Sequence, residues 1–216
     1  MQSKKGLAGV LFDWDGTLID SYHADSQAYL AMFREMGLRW GLKELDEHYS
    51  PEWYAVYRAA GIPEDKWDEA DRLWRGYYAK HPSKLMPGTR RVLRTLGRRH
   101  KLGLVTSGDR ARVMKQLRKF ALTRVFSSRV CGGDTQEKKP HPAPLLMALE
   151  KMKLRPEECV YVGDTPEDLQ MSRAVGMTAI AVLGPFPTEK RLRAAKPEYL
   201  LERLEDLPGL LKTLDK

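Results

Sequence analysis

Cysteine is scarce in this sequence. Cys131 and Cys159 are the only two thiols in 216 residues, and they lie far apart, with no CxxC spacing and no histidine cluster beside them. The pattern is not typical of a zinc site or of a disulfide framework. We therefore expect two small buried thiols in a reducing cytoplasm.

Long apolar runs are also missing. No apolar segment approaches the ~18 residues that a membrane-spanning helix needs, and the mean hydropathy is −0.51. The short apolar stretch near the N-terminus is interrupted by Asp13 and Asp15, which does not suit a secretory signal. We therefore expect a cytoplasmic protein with no membrane partner.

The composition favours a folded chain. Hydrophobic residues make up 42% of the sequence and charged residues 31%, whereas disordered chains combine low hydrophobicity with high net charge. The length allows one ordinary domain, or one domain that carries a smaller insert.

The positive charge is unevenly distributed. The net charge is +8, but residues 20–86 hold nine basic against twelve acidic residues, and residues 87–216 hold 26 against 15. A basic chain can bind nucleic acid, yet the basic residues are scattered over several predicted helices without interleaved aromatic residues. A positive field that attracts a small anionic substrate is the alternative. Charge alone does not decide between them.

Short apolar runs alternate with helical patterns over most of the chain. The runs predict strands at 9–12, 102–107, 124–131, 160–164 and 178–184. The helical patterns cover 89–100, 109–120, 142–152 and 166–176. This alternation predicts an α/β fold, in which a Rossmann-like parallel sheet is covered by helices on both faces.

Residues 20–86 interrupt that alternation. They have helical patterns only, and they contain four of the five tryptophans and seven of the nine tyrosines. We predict a small helical domain at 20–86, inserted into a core domain formed by 1–19 and 87–216. Most of its aromatic residues should form its own core.

Polar clusters follow four of the predicted strands. They are the segments 13–17 (DWDGT), 106–109 (TSGD), 138–140 (KKP) and 163–168 (GDTPED). Ligands of an open α/β sheet bind at the carboxyl ends of its strands. The four clusters are therefore expected to meet at one edge of the sheet.

The clusters together suit a phosphate and a magnesium ion. Asp13, Asp15 and Asp164 would repel one another unless a cation lies among them, and oxygen ligands suit Mg²⁺. Ser107, the Gly108 N–H group and a lysine can hold phosphate oxygens. Asp13 and Asp15 lie on the same side of an extended chain. One can attack phosphorus while the other moves a proton.

Each cluster also has a purely structural interpretation. Thr165 and Asp168 fit a capping box around Pro166, so Asp168 either touches the metal directly or supports the residues that do. Asp109 or Ser107 can cap the next helix, and the Lys138–Lys139 pair can be solvated turn charges. The occurrence of all four clusters at strand ends favours a catalytic site.

The four clusters resemble motifs one to four of the haloacid dehalogenase-like hydrolase superfamily: DWDGT, TSG at 106–108, KPHP at 139–142 and GDTPED. The position of the helical insert, between the first two motifs, is similar to the cap of the phosphoglycolate phosphatase and β-phosphoglucomutase branch.

The resemblance implies a role for each matching residue. Asp13 matches the nucleophile that becomes a phosphoaspartate, and Asp15 matches the general acid/base, whose backbone carbonyl also binds Mg²⁺. Thr106, Ser107 and Gly108 match the phosphate-binding motif. Lys139, rather than Lys138, matches the lysine that holds nucleophile and phosphate. Asp13, Asp15, Asp164 and Asp168 match the metal-binding acids.

The presence of Asp15 also indicates which reaction of this superfamily the chain catalyses. The dehalogenases and phosphonatases of this superfamily lack a second aspartate in motif one, so its presence favours phosphoryl transfer. We expect a Mg²⁺-dependent phosphatase for a small phosphorylated metabolite such as phosphoglycolate, acting as a monomer or homodimer without nucleic acid. A sugar phosphomutase and a non-catalytic anion or nucleic-acid binder are the alternatives.

Tyr49, Trp53 and Arg58 are candidate contacts to the leaving group.

Overall fold

A computed structural model describes residues 6–215. The N-terminal stretch considered above as a secretory signal begins in residues 1–5, which lie outside the described residues. None of the helices formed by residues 6–215 combines the length and the apolar character that crossing a lipid bilayer requires.

The core is a six-stranded parallel sheet, as the alternating pattern predicts. Its strands are β1 (Gly9–Phe12), β4 (Lys101–Asp109), β5 (Ser128–Gly132), β6 (Cys159–Gly163), β7 (Thr178–Val182) and β8 (Tyr199–Leu201). Their order across the sheet is β5-β4-β1-β6-β7-β8. β1 lies in the middle, with β4 and β6 on either side.

Helices cover both faces of this sheet. They are α5 (Thr89–Leu96), α6 (Arg110–Lys119), α7 (Ala143–Met152), α8 (Pro166–Ala174), α9 (Glu189–Ala194) and α10 (Leu207–Leu214). Side chains of β1 alternate between the faces. Val10 and Phe12 pack in one buried cluster with residues of α5, α6 and α10, and Leu11 packs in another with residues of α7.

The insert contains four helices: α1 (Tyr22–Glu35), α2 (Leu42–Glu47), α3 (Trp53–Ala59) and α4 (Trp67–Tyr78). Helices α1, α3 and α4 correspond to the stretches 23–37, 50–61 and 63–81, whose sequences have helical patterns, whereas α2 lies in a stretch without a recognisable pattern. Two short strands, β2 (Ile19–Asp20) and β3 (Lys84–Leu85), pair antiparallel at its base. The expectation of helices alone is thus wrong at its two ends, where strands of two residues are too short to show a periodicity. We call residues 20–86 the cap, and its treatment as a separate domain remains a proposal.

The sheet places the sequence motifs at one edge. Asp13 follows β1, Asp164 follows β6 and the TSGD segment ends β4, all at carboxyl ends of adjacent parallel strands. Cys131 and Cys159 are buried free thiols, as expected.

Candidate active site

Asp13 lies at the centre of the site and is buried. Its Oδ1 accepts a hydrogen bond of 2.8 Å from the Lys139 ammonium. Burial raises the pKa of Asp13 to about 7, against the attraction of Lys139 and with the repulsion of Asp168 and Asp15. A carboxylate in this position depends on neighbouring positive charge to remain ionised.

Lys139 is a buried cation with three partners. Besides Asp13, its ammonium donates to Asp168 Oδ1 at 2.8 Å, and it lies 2.7 Å from the Tyr161 hydroxyl. That hydroxyl in turn donates to the Val105 carbonyl at 2.7 Å. Burial alone lowers a lysine pKa, but Asp13 and Asp168 outweigh it and raise the pKa of Lys139. The ammonium is therefore held charged beside Asp13.

Asp168 forms the capping box expected at the start of α8. Its Oδ2 accepts from the Thr165 N–H at 3.1 Å and from the Thr165 hydroxyl at 2.8 Å, while its own N–H donates to that hydroxyl. Both carboxylate oxygens of Asp168 thus already have partners, because Oδ1 binds Lys139.

Asp164 has a free carboxylate oxygen. Its Oδ1 accepts from the Thr17 hydroxyl at 2.7 Å, but its buried Oδ2 has no hydrogen-bond partner within residues 6–215. Burial, followed by the charges of Asp13 and Asp168, raises the pKa of Asp164 well above its ordinary value. One carboxylate oxygen from each of the three aspartates lies within 4.8 Å of the others. This arrangement is costly without a cation.

The backbone packs tightly around that carboxylate. Gly16 has a φ of +80°, and a Cβ at this position would collide with Asp164 Oδ2. A Cβ at Gly184 would lie 2.9 Å from the same oxygen. Glycine at these two positions lets the backbone approach Asp164 closely.

Asp15 is paired with an arginine that the sequence analysis did not identify. Arg112, on α6, donates to Asp15 Oδ1 at 2.9 Å and to Oδ2 at 2.8 Å. Ser21 adds a hydrogen bond of 2.6 Å to Oδ1. Burial opposes ionisation of Asp15, but Arg112 and Ser21 hold the pKa of this carboxyl below its ordinary value. Asp15 is therefore a carboxylate in this structure.

The TSGD segment lies beside these acids. Thr106, Ser107 and Gly108 all line the cavity that contains Asp13. The Gly108 N–H group donates to Thr106 Oγ1 at 3.0 Å, so it already has an acceptor. Asp109 caps α6 through the Arg112 N–H, which matches the structural interpretation of this residue.

A cavity of about 370 Å³ connects the catalytic edge of the sheet with the cap. Tyr49 and Trp53 line it, and their contact with a leaving group stays a prediction. Arg58 is not among the lining residues. Its guanidinium binds Glu52 at 2.8 Å and is about half exposed. The sequence offers no signal that separates an arginine paired with a nearby acid from one that lines a cavity.

Cap and core make contact around the cavity. The ammonium of Lys138 lies 3.9 Å from the Trp53 ring centroid and 4.4 Å from that of Tyr54, so this lysine is not a solvated turn charge. Phe186, in the loop after β7, stacks on Tyr49 with ring centroids 4.8 Å apart. The walls of the cavity thus come from both parts of the chain.

Several residues of the site were missed in the sequence. They are Thr17, Ser21, Asp25, Arg112 and Tyr161. For Arg112 the sequence offers a weak signal, because it is placed three residues after the capping Asp109, on the first turn of α6. Thr17 lies within the DWDGT segment, but its hydrogen bond to Asp164 has no local signal, and Ser21, Asp25 and Tyr161 belong to no motif.

Comparison with known proteins supports one family. The family model described as haloacid dehalogenase-like hydrolase matches residues 10–182. A Caldanaerobacter subterraneus protein with the name "Putative pyrophosphatase PpaX" is 30% identical over 215 residues, which cover 97% of each chain.

Solved structures share the fold. A haloacid dehalogenase-like hydrolase from Streptococcus pneumoniae has a TM-score of 0.82 at 23% identity, with 94% of this chain and 98% of that chain covered. A predicted phosphoglycolate phosphatase from Haemophilus somnus also has a TM-score of 0.82, at 22% identity, with 97% and 99% covered. All of the motif residues, from Asp13 to Asp168, fall inside the residues that the family model matches.

Proposed function

The chain belongs to the haloacid dehalogenase-like hydrolase family and is a phosphatase of that family, and we propose that it hydrolyses a small phosphomonoester with Mg²⁺ through a phosphoaspartate on Asp13. The observation that carries the proposal is the set of contacts around Asp13. One buried lysine holds its carboxylate, two further aspartates lie within 4.8 Å, and the cavity opens onto it.

The aspartate cluster fits a magnesium ion. Asp164 Oδ2 is buried with no hydrogen-bond partner in the described part of the chain, and the donor set consists of hard oxygen atoms, which Mg²⁺ prefers. We propose that Asp13, Asp164 and the backbone carbonyl of Asp15 hold the ion. Both Asp168 oxygens already have partners, so we assign Asp168 the role of orienting Lys139. When bound, the ion would offset the negative charge of these acids and of the substrate phosphate.

Asp13 is proposed as the nucleophile because of how Lys139 holds it. The ammonium at 2.8 Å from Oδ1 fixes the rotamer and lowers the pKa of Asp13, which offsets part of the rise that burial causes. A positioned, ionised carboxylate can attack phosphorus in line with the leaving oxygen. The Lys139 ammonium, together with Thr106, Ser107 and the backbone at Gly108, would then hold the phosphate oxygens.

Asp15 is proposed as the general acid and base. In this structure Asp15 is a carboxylate paired with Arg112, so it has to take up a proton from solvent before it can give one to the departing alcohol oxygen in the first step. In the second it takes a proton from the water that attacks the phosphoaspartate. Because Arg112 engages both of its oxygens, Asp15 must leave this pair to reach the substrate. The aromatic cap above the cavity would exclude bulk water while the alcohol departs.

The test is phosphate release from a panel of small phosphate compounds. The panel includes the ester phosphoglycolate, because of the name given to the Haemophilus somnus protein. It also includes the anhydride pyrophosphate, because of the name of the Caldanaerobacter relative. We expect metal-dependent release by the wild type, loss on chelation with EDTA, and a decrease of at least about 10³-fold for Asp13→Asn. Asp65→Asn, an exposed cap acid outside the cavity, is the matched control.

Two results would contradict the proposal. An Asp13→Asn variant with nearly full turnover would rule out this nucleophile. Isomerisation of sugar phosphates by the wild type, with little phosphate release, would favour the phosphomutase alternative.

A further inference from the structure

The cavity is larger than a phosphate group requires. Its volume is about 370 Å³, and it extends from Asp13 and Thr106 at the sheet to α1, α3 and α4 of the cap. The space on the cap side is available for the part of the substrate that leaves as an alcohol. The chemistry of that wall therefore indicates the class of substrate.

Aromatic rings form most of the cap wall. The residues are Tyr29, Tyr49, Tyr57, Trp74 and Tyr78, together with Trp53 and Tyr54. Aromatic faces attract cations within about 6 Å of the ring centroid. The protein already uses them in this way, because Lys138 lies 3.9 Å from the Trp53 centroid and Arg112 lies 5.0 Å from that of Tyr78.

Asp25, on α1, adds a carboxyl group to this wall. Among residues 6–215 no basic side chain forms an ion pair with it. Burial, followed by the charge of Asp15, raises the pKa of Asp25 to about 8, while Arg112 and the Trp74 indole lower it. Because Arg112 is bound to Asp15, a cationic ligand beside Asp25 would supply the positive charge that favours its ionised form.

Three of the four basic residues that line the cavity are paired with acids. Arg112 holds both oxygens of Asp15, Arg75 pairs with Asp71, and Lys139 pairs with Asp13 and Asp168. Lys138 lies against the rings of Trp53 and Tyr54. Among the described lining residues an anionic leaving group would therefore meet Asp25 and Asp71 with Lys138 as its one available cation. The cap segment is also acidic, with nine basic and twelve acidic residues, whereas residues 87–216 are strongly basic.

We propose that the cap side of the cavity binds an ammonium group of the leaving alcohol, through Asp25 and the surrounding aromatic rings. The substrate class is then a phosphomonoester of an amino alcohol or of a quaternary ammonium alcohol. This inference rests on the proposed phosphatase function, and it separates such esters from phosphoglycolate and pyrophosphate, whose leaving groups are anionic.

The test compares two esters of equal shape. Choline phosphate carries a quaternary nitrogen, and 3,3-dimethylbutyl phosphate carries a neutral carbon in its place. Binding to the full-length Asp13→Asn protein with Mg²⁺, measured by calorimetric titration, separates recognition from turnover. We expect choline phosphate to bind at least about tenfold more tightly than its isostere. The additional substitution Asp25→Asn should reduce this ratio to below about threefold, whereas Asp65→Asn should preserve it.

The outcomes distinguish this inference from the proposed function. Equal affinity for the two esters, or tighter binding of phosphoglycolate than of choline phosphate, would overturn the ammonium site even if the wild type hydrolyses all of them. If Asp25→Asn keeps the full ratio, the assignment of Asp25 is wrong. If the wild type releases no phosphate from any ester while the choline ester still binds preferentially, the catalytic proposal fails and the ammonium site is supported.

Discussion

Arg112 and Asp15 are joined by two nearly parallel hydrogen bonds, of 2.9 and 2.8 Å, although they lie 97 positions apart in the sequence. The guanidinium rests against Gly108, where a Cβ would collide with Nη2. It also lies 5.0 Å from the Tyr78 ring centroid of the cap. A single side chain thus connects the candidate acid/base, the TSGD segment and the cap.

Removal of this guanidinium should destabilise the protein. Arg112→Met leaves Asp15 with only the Ser21 hydroxyl, and breaking a largely buried pair costs about 2–3 kcal/mol when some solvent screens it. Arg112→Lys should recover only part of this loss, because an ammonium cannot form the two parallel bonds. Urea unfolding measures both. Arg118→Met, at an exposed site on the same helix, should change the free energy of unfolding by less than about 0.5 kcal/mol. If Arg112→Met and Arg118→Met lowered the free energy of unfolding equally, the Arg112–Asp15 pair would not contribute to stability.

The two adjacent lysines should differ sharply. Lys139→Met leaves Asp13 and Asp168 facing each other without their cation, and we expect a loss of about 3–5 kcal/mol in the free energy of unfolding. Lys138→Met removes only a cation–π contact with Trp53 and Tyr54, worth about 1 kcal/mol. Thermal and urea unfolding of both variants provide the comparison. Similar losses for the two would contradict the assignment of Lys139 as the buried counter-ion.

Magnesium should stabilise the folded chain through the aspartate cluster. A ligand that binds only the native state raises the stability by about 2.7 kcal/mol at a hundred times its Kd, which corresponds to a Tm increase of several degrees. Asp164→Asn removes one acid of the cluster and should abolish most of this increase. Differential scanning calorimetry with and without Mg²⁺ measures it. A full Mg²⁺ response in Asp164→Asn would place the ion elsewhere.

The metal-free protein should lose stability as the pH rises. Burial raises the pKa of Asp13 to about 7, whereas an unfolded aspartate titrates near pH 3.9. Between about pH 4 and 7 the folded chain therefore holds protons that the unfolded chain has released, and the free energy of unfolding falls through this interval.

The variant Asp13→Asn isolates this effect. In EDTA, we expect the Tm of the wild type to fall relative to that of Asp13→Asn as the pH is raised from 5 to 7.5. The two curves should run parallel if Asp13 titrates at an ordinary pKa. Saturating Mg²⁺ should remove most of the difference in slope, because the ion replaces the proton as the neutralising charge.

Much of the core was accessible from the sequence because its signals are local. Apolar runs of four or five residues predicted β1, β6 and β7, and the capping box around Pro166 marked the start of α8. Parallel strands bring their carboxyl ends to one edge, so Asp13, Thr106 and Asp164 could be placed together without any coordinates. The edge strand β8, three residues long, showed no such pattern.

The residues that contact Asp15 and Lys139 and change the pKa values in the site could not be predicted in the same way. The Tyr161 hydroxyl lies beside the Lys139 ammonium, the Ser21 hydroxyl binds Asp15, and Asp25 lines the cavity from α1, which packs against α4 of the cap. Such positions depend on how segments far apart in the sequence pack against one another, and local hydrophobic periodicity does not reveal this packing.

The sequence by itself therefore predicted five of the six core strands, the helical insert and the four motifs at the strand ends, since each follows from hydrophobic period, turn residues and strand order. Only the tertiary structure decided that Arg112 holds Asp15, that Lys138 lies against cap aromatic rings while Arg58 pairs with Glu52, and that Asp25 lines the cavity. These are properties of side chains brought together from distant segments, and their energies depend on burial and on the charges around them.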